Sequence, residues 1–166
     1  MSTIKVENLK GLTSGANANK IIVPSGQTLY APGHIVQVLS MRTDNSRSTT
    51  STSLSDTDMT LTITPKSASS KIMIIANFYE VYKQGGNTSP MFAINRGGTI
   101  IGDHQGSTQA YTDVNEYENV HIVYVDEPST TSATVYKMQF KSSNGNTVVI
   151  NGDNTQNHFI LMEIAA

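Results

Sequence analysis

The sequence predicts an all-β fold, and three observations support this prediction. Charged residues make up only 14% of the 166 residues, whereas Ser and Thr together number 38 and Asn numbers 14. Hydroxyl and amide side chains favour strands and turns over the Glu- and Lys-rich surfaces of helices. Several segments alternate apolar and polar residues with a period of two, and Gly, Pro or Asn residues separate them.

The chain up to residue 96 contains four predicted strands of different character. Residues 34–42 are apolar on both faces near their start, and Met59, Leu61 and Ile63 alternate with threonines until Pro65 ends the run. Between them, residues 43–58 predict a long surface loop with one short edge strand around Leu54. Residues 71–82 begin with a continuous apolar stretch that predicts a central strand covered by a second sheet. The fourth strand, residues 91–96, leads into a glycine pair.

The second half predicts five more strands joined by turns. Gly97 and Gly98 fit a tight hairpin turn between residues 91–96 and 99–101. A polar connection over residues 102–117 then leads to a strand at 120–125. In residues 133–141 the core face carries Tyr136, Met138 and Phe140. Strands at 147–150 and 158–164 complete a jelly-roll-like or Greek-key β-sandwich of about eight or nine strands.

The last strand is apolar on both faces, through Phe159, Leu161, Met162 and Ile164. A terminal strand of this kind belongs inside the sandwich or between subunits. Because strands that are apolar on both sides exceed what one small core covers, the sequence predicts a homo-oligomer, with a trimer favoured over a dimer.

Residues 1–33 predict an extended N-terminal attachment arm, and residues 34–166 the β-sandwich domain. Short apolar groups separated by Gly and Pro bury too little area to fold alone. The predicted anchoring residues of the arm are Ile4, Val6, Leu9, Ile21, Ile22, Val23, Leu29 and Tyr30.

Composition and motifs argue against several function classes. The net charge of −2 offers no basic excess for nucleic acid, and the absence of Cys excludes disulfides and thiolate chemistry. No apolar run is long enough to span a bilayer, and the N-terminus lacks the pattern of a signal peptide. The sequence therefore predicts a soluble protein.

The sequence predicts no catalytic residues, no metal site and no cofactor. The four histidines show no metal-binding spacing. Calcium ligation by Asp56 and Asp58, or by residues 151–154, is a weaker alternative to turns capped by their own side chains. A saccharide surface is a further alternative, formed by Tyr79, Tyr82, Tyr111, Tyr117 and Tyr124.

Several phrases of the sequence resemble small virion structural proteins of tailed bacteriophages, especially marine and cyanobacterial ones. The phrases are MSTIKVENLKG, NKIIVPSGQTLYAPGHIVQV, ITPKSASSKIMI, VYVDEPSTTSATVYKMQFKSSNG, VVING and ILMEIAA. Proteins of this kind are commonly tail-fibre or other virion-surface proteins with an N-terminal attachment segment and a C-terminal β-domain. The resemblance carries no catalytic residues to transfer.

The resemblance implies a non-enzymatic virion-surface protein, assembled in the bacterial cytoplasm and anchored to phage tail or capsid proteins through its arm. A short tail fibre or knob is the first expectation, with a host-surface glycan as ligand. The expected presenting loops are residues 43–58, 83–90 and 102–119. A capsid decoration protein is the alternative, and a lectin-like carbohydrate-binding module is the second alternative.

Overall fold

The computed structural model describes residues 31–104, 115–152 and 155–166, together with residues 10, 11, 13–16, 18, 20 and 22–25. The chain divides into two compact units, residues 1–30 and 31–166. In the first unit, the backbone N–H of Ala18 donates to the carbonyl of Gly15 and closes a turn. Gly11 lies against the backbone of Lys20 so closely that a Cβ atom at Gly11 would clash.

The second unit is an all-β sandwich, as the sequence predicts. Its described residues form ten strands, with the following bounds: β1 Ile35–Thr43, β2 Arg47–Thr49, β3 Ser55–Ile63, β4 Lys71–Lys83, β5 Pro90–Arg96, β6 Thr99–His104, β7 Glu116–Asp126, β8 Thr134–Ser142, β9 Val148–Ile150 and β10 Asn157–Ile164.

The strands form two antiparallel sheets with jelly-roll connectivity. The six-stranded sheet has the order β1-β10-β4-β9-β2, with β7 on the other edge of β4, and the four-stranded sheet has the order β3-β8-β5-β6. Without the short strands β2 and β9, the chain crosses between the sheets at almost every connection. This path produces the two Greek keys of a jelly roll.

The core lies between the two sheets and follows the predicted alternation. Tyr136, Met138 and Phe140 of β8 are fully buried, as predicted for that strand. Phe78 from the six-stranded sheet packs on Phe92 from the four-stranded sheet with ring centroids 4.5 Å apart. The two sheets therefore share one aromatic-centred core.

The predicted hairpin between β5 and β6 is confirmed. Arg96 pairs with Thr99, and the two residues between them are Gly97 and Gly98, with φ of 56° and 99°. Both values lie in the left-handed region that glycine tolerates, as a primed hairpin turn requires.

The loop predicted over residues 43–58 is wrong in its extent. The short strand in this region is β2 at Arg47–Thr49, not a strand around Leu54, and β3 already begins at Ser55. Arg47 pairs with Ile150 of β9 and donates two hydrogen bonds to Asp58 of β3. The pairing of β2 with β9 joins residues that are distant in sequence, so the hydroxyl-rich local composition does not reveal it.

A bulge in β4 lets three strands pair with it. Between Phe78 and Val81, β4 has one more residue than β7, and Glu80 takes a φ of 51°. The N–H of Tyr79 donates to Asn157 Oδ1, and the N–H of Glu80 donates to Asn119 Oδ1. Side-chain amides thus satisfy the backbone where the ladder is interrupted, and β10 and β9 occupy successive parts of the same edge of β4.

Candidate interaction surface

The outer face of the six-stranded sheet carries four ladder rows across β1, β10, β4 and β7. In three rows each residue pairs directly with its neighbours in the adjacent strands. In the fourth row Ile35, Ile164 and Lys71 pair in this way, and Glu127, which directly follows β7, contacts Lys71 through an ion pair. From one end of the face to the other, the rows are Arg42-His158-Asn77-His121, Ser40-Ile160-Ile75-Val123, Val38-Met162-Met73-Val125 and Ile35-Ile164-Lys71-Glu127. We call these four rows the outer face.

The two middle rows of the outer face are uncharged, and seven of their eight residues are apolar. Val38, Val123 and Val125 are 52%, 60% and 45% exposed. With strands about 4.8 Å apart and alternate residues about 6.8 Å apart, these rows cover about 260 Å² of sheet. The largest exposed apolar patch of a typical monomeric protein covers roughly 300–600 Å² and is often functional. The outer face is therefore the candidate functional site of the described residues.

One end row of the outer face is polar and cationic. Of the three arginines in the chain, Arg47 and Arg96 bind carboxylates, whereas Arg42 donates a 3.4 Å hydrogen bond to the neutral Gln156 amide. The Tyr79 ring lies edge-on to the rings of His121 and His158, at 6.0 Å and 6.3 Å. A shallow cleft of about 390 Å³ lies beside Arg42 and His158.

The opposite end row carries one exposed ion pair beside two isoleucines. Lys71 Nζ lies 2.8 Å from Glu127 Oε1, and both side chains are largely exposed. The hydrogen bond and charge of Lys71 lower the pKa of Glu127. Glu127 therefore remains anionic near neutral pH, at the corner of the outer face diagonally opposite Arg42.

The predicted core or oligomer residues of the last strand divide between the two faces of β10. Phe159 and Leu161 are fully buried in the core, whereas Met162 and Ile164 are half-buried on the outer face. The last strand is apolar on both sides because one side faces the core and the other side belongs to the outer face, which is also apolar there. The sequence pattern alone does not identify Val38, Val123 and Val125 as residues of an interaction surface. The indication in the sequence is that their strands, like β10, are apolar on both faces.

Most of the predicted anchoring residues lie outside the described residues. These are Ile4, Val6, Leu9, Ile21, Leu29 and Tyr30. Ile22 and Val23 are described and are 56% and 40% exposed. Their role as anchors remains a prediction.

The acidic residues considered for calcium are engaged with basic and amide groups. Asp56 accepts hydrogen bonds from Lys137 and Gln139, and Asp58 accepts them from Arg47 and Asn45. The Lys137 bond lowers the pKa of Asp56, and the Arg47 bond lowers the pKa of Asp58, more than their partial burial raises either. Within residues 31–104, 115–152 and 155–166 and the described part of the first unit, no three His, Asp or Glu side chains gather as a metal site.

The tyrosines considered for saccharide binding occupy different places. Tyr82 and Tyr117 pair across β4 and β7, and their rings stack with centroids 4.6 Å apart. Tyr117 is 63% exposed, whereas Tyr124 packs against the core. Tyr111 lies outside the described residues. A stacked aromatic pair, with Tyr117 exposed and Tyr82 half-buried, therefore lies beyond the polar end of the outer face.

Comparisons with known proteins leave the family open. No protein-family model matches the chain, and no curated protein matches it. Among solved structures, the chain is similar to one described as the crystal structure of dimeric latent PorU from Porphyromonas gingivalis, with a TM-score of 0.37 and 12% identity. The similarity covers 84% of this chain and 12% of that chain. In the described part of the protein, no helix has the length and apolar character to cross a membrane.

Proposed function

We propose that this chain is a non-enzymatic structural protein of a phage virion surface, and that it acts as a homo-oligomer anchored by its N-terminal arm. A trimeric short tail fibre or knob is the first form of the proposal. The protein would assemble in the cytoplasm of the bacterial host and would need no cofactor. The resemblance of the quoted sequence phrases to tailed-phage virion proteins supports this assignment.

The observation that carries the proposal is the pair of uncharged rows in the middle of the outer face. Subunit interfaces are depleted of charge at their centre and polar at their rim, and the outer face has this arrangement. Arg42 and the two histidines lie at one end, and the Lys71–Glu127 pair lies at the other. A second copy covering the middle rows would remove the exposed valines from water.

The jelly-roll fold supports a virion role by analogy with other proteins of the same fold. Double-sheet jelly rolls recur in viral capsid domains and in lectins. Because one fold serves many functions, this analogy supports a virion role without selecting the position on the particle.

The test is the copy number of this chain in purified virions of the phage that encodes it. Quantitative mass spectrometry would compare its peptides with those of the major capsid protein. We expect a few copies per hundred capsid subunits, as a tail or vertex protein requires. Absence of the chain from intact virions would contradict the proposal.

Capsid decoration is the second form of the same proposal. A decoration protein binds only the assembled lattice and stabilises it by linkage. In that case the copy number would approach one chain for each capsid subunit, and virions lacking the chain would lose their genome at lower temperature.

A lectin-like module is the alternative favoured by one specific observation, the stacked Tyr82–Tyr117 pair. Exposed aromatic rings provide apolar faces on which sugar rings stack. Binding of host-surface glycan that is abolished by Tyr117→Ala, without any association with virions, would favour this alternative over the structural role.

A further inference from the structure

Arg42 is an exposed cation that forms no ion pair within the described residues. It lies near the end of β1, on the outer face, where it pairs with His158 of β10. Its hydrogen bond to the Gln156 side chain is 3.4 Å long, which is longer than a normal hydrogen bond. A guanidinium group has five N–H donors, so this one weak bond leaves most of them for a ligand. The described ion pairs use the other cations Arg47, Lys71, Lys83, Arg96 and Lys137.

The other two arginines of the chain each hold a carboxylate through two hydrogen bonds. Arg47 donates from Nε and Nη2 to Asp58, at 3.1 Å and 2.7 Å. Arg96 donates to both carboxylate oxygens of Asp126, at 2.7 Å and 2.9 Å. The planar fork of a guanidinium group matches the geometry of a carboxylate. Arg42 has the same fork, and a carboxylate from another molecule would complete it.

The cleft beside Arg42 has the size and the lining of a small ligand site. Its volume is about 390 Å³, and all of its lining residues belong to β1 and β10. Small-molecule sites commonly have volumes of roughly 300–1,000 Å³. The lining combines one cation, one hydroxyl, one imidazole and two apolar side chains, from Arg42, Ser40, His158, Met41 and Ile160. This mixture fits a ligand that carries an anionic group, hydroxyl groups and an apolar face.

The polar groups of the cleft can bind hydroxyl groups without a charge on the imidazole. A neutral imidazole has one donor and one acceptor nitrogen, and the Ser40 hydroxyl can both donate and accept. The Tyr79 ring lies edge-on to the His158 ring, with centroids 6.3 Å apart. This contact places an aromatic ring beside the imidazole that lines the cleft.

We propose that the cleft beside Arg42 binds an acidic saccharide, that is, a sugar that carries a carboxylate. The Arg42 guanidinium donates to the sugar carboxylate, and Ser40 and His158 bind ring hydroxyls. The C–H face of the sugar ring lies on the apolar side chains of Ile160 and Met41. Because the cleft is shallow, the rest of a longer saccharide chain remains in solvent.

The charge of the cleft favours this ligand over a phosphate polymer. Only one of the lining residues, Arg42, is cationic at every ordinary pH. Chains of phosphate groups are held by several Lys and Arg side chains, and the net charge of the protein is −2. A single guanidinium beside hydroxyl-binding and apolar groups matches the one carboxylate of an acidic sugar unit.

The inference deepens the proposed function and rests on its tail-fibre form, since it names the class of host-surface ligand. Arg42 belongs to the polar end row of the outer face, and β1 is an edge strand of its sheet. A subunit interface centred on the two middle rows has this end row at its rim, where polar groups stay in contact with water. The guanidinium therefore remains accessible in the oligomer.

Calorimetric titration of the full-length protein tests the ligand class. The probes are short oligomers of galacturonate, glucuronate and mannuronate, and the same oligomers with their carboxylates converted to methyl esters. The esters keep the sugar rings and hydroxyls and remove only the charge. We expect at least one acidic oligomer to bind at least tenfold more tightly than its ester. Equal affinity for acid and ester, or no binding of any of the three acidic oligomers, would overturn the proposal.

Substitution of Arg42 locates the site. We expect Arg42→Gln to weaken binding of the acidic oligomer at least tenfold, and Arg42→Lys to recover only part of the loss, because Lys lacks the planar fork. Lys66→Gln is the matched control: it removes an exposed positive charge near Glu163, at the other end of β10 from His158. This control should stay within about twofold of the parent. An equal loss in Lys66→Gln would overturn the site, because it would show attraction to the whole surface.

Two further measurements separate this inference from its neighbours. A short polyglutamate peptide that binds Arg42 more tightly than every acidic oligosaccharide would overturn the saccharide class in favour of an acidic protein partner. Sedimentation of Arg42→Gln should give the oligomeric mass of the parent, so that lost binding reflects the site and not assembly. Virion copy number is measured separately, so the saccharide site can fail while the virion role stands, and the virion role can fail while the site stands.

Discussion

At the scale of single residues, Asp126 connects the two sheets of the sandwich. Asp126 ends β7 in the six-stranded sheet and is 7% exposed. It accepts two hydrogen bonds from Arg96 Nη1, at 2.7 Å and 2.9 Å, and one from the Tyr136 hydroxyl at 2.6 Å. Both donors belong to the four-stranded sheet. Burial and the neighbouring Asp126 carboxylate raise the pKa of Tyr136, so its hydroxyl remains a donor over the ordinary pH range.

Removing the Tyr136 hydroxyl tests this connection. Tyr136→Phe keeps the buried ring but withdraws a hydrogen bond from a charged, buried acceptor. We expect a loss of about 1.5–3 kcal/mol in the free energy of unfolding, measured by urea denaturation. Tyr117→Phe, at an exposed ring, is the matched control and should change little. Equal stability of the two variants would contradict the role of Asp126 as an inter-sheet connection.

Glu163 is a second buried carboxylate, and it gives the fold an acid-sensitive element. Burial raises its pKa, but hydrogen bonds from Gln37 and from the backbone N–H groups of Lys66 and Ser67 together outweigh burial and lower it. Gln37 Nε2 and the Lys66 N–H lie 2.5 Å and 2.7 Å from the carboxylate oxygens. The ionised carboxylate thereby joins β1 and β10 to the loop after β3.

The sign of the pH dependence follows from the lowered pKa. The stabilisation is fully present above the unfolded-state pKa, about 4.3 for Glu, and is lost as the pH falls through the lower folded-state value. We expect Glu163→Gln to be less stable than the parent chain at pH 7, with the difference narrowing below about pH 4. Urea denaturation of Glu163→Gln and of the parent chain, from pH 3 to pH 7, measures the stability difference and its pH dependence. A constant difference across that range would contradict this assignment.

At the scale of elements, β10 separates the core from the outer face residue by residue. Leu161 lies fully buried opposite Ile74, whereas its neighbour Ile160 lies half-buried on the outer face opposite Ile75. The two positions share a strand, a depth in the sheet and an aliphatic character. They differ in what covers them, which makes them a matched pair.

Substitution by aspartate distinguishes these two faces. Leu161→Asp buries an unpaired charge among apolar side chains, and we expect it to abolish folding, as seen by circular dichroism. Ile160→Asp should retain the strand spectrum and a cooperative melt while weakening oligomerisation, because it places charge in the uncharged middle of the outer face. A folded Leu161→Asp protein would contradict the core assignment. An Ile160→Asp protein with the parent's oligomeric mass would contradict the role of the outer face.

The elements also show how far the sequence predicts this fold. Period-two alternation correctly places Met59 and Ile63 of β3, and Tyr136 of β8, in the core, because burial on one face acts on each residue locally. The bulge at Glu80 is not predictable, since the residues that satisfy it, Asn119 and Asn157, are distant in sequence. The same holds for β2, whose partner strand lies about 100 residues later in the chain.

At the scale of the whole molecule, backbone hydrogen bonds within the sandwich unit hold the two ends of that unit together. Gly33 N–H donates to the Ala165 carbonyl, and Ala165 N–H donates to the His34 carbonyl. Backbone hydrogen bonds therefore join residues near the start of the unit 31–166 to a residue near its end. This arrangement predicts that the unit retains its structure when it is separated from residues 1–30.

Deletion of residues 1–30 tests both this independence and the proposed anchoring role of the arm. We expect residues 31–166 to melt cooperatively, with a free energy of unfolding within about 1 kcal/mol of the full chain, because the core and the end closure are retained. The same truncated chain should no longer enter virions when supplied during infection, whereas the full chain should. Unfolding of residues 31–166 would contradict their independence. Incorporation at the full-chain level would show that attachment resides in the sandwich, most directly in its outer face, and would remove the anchoring role from the arm.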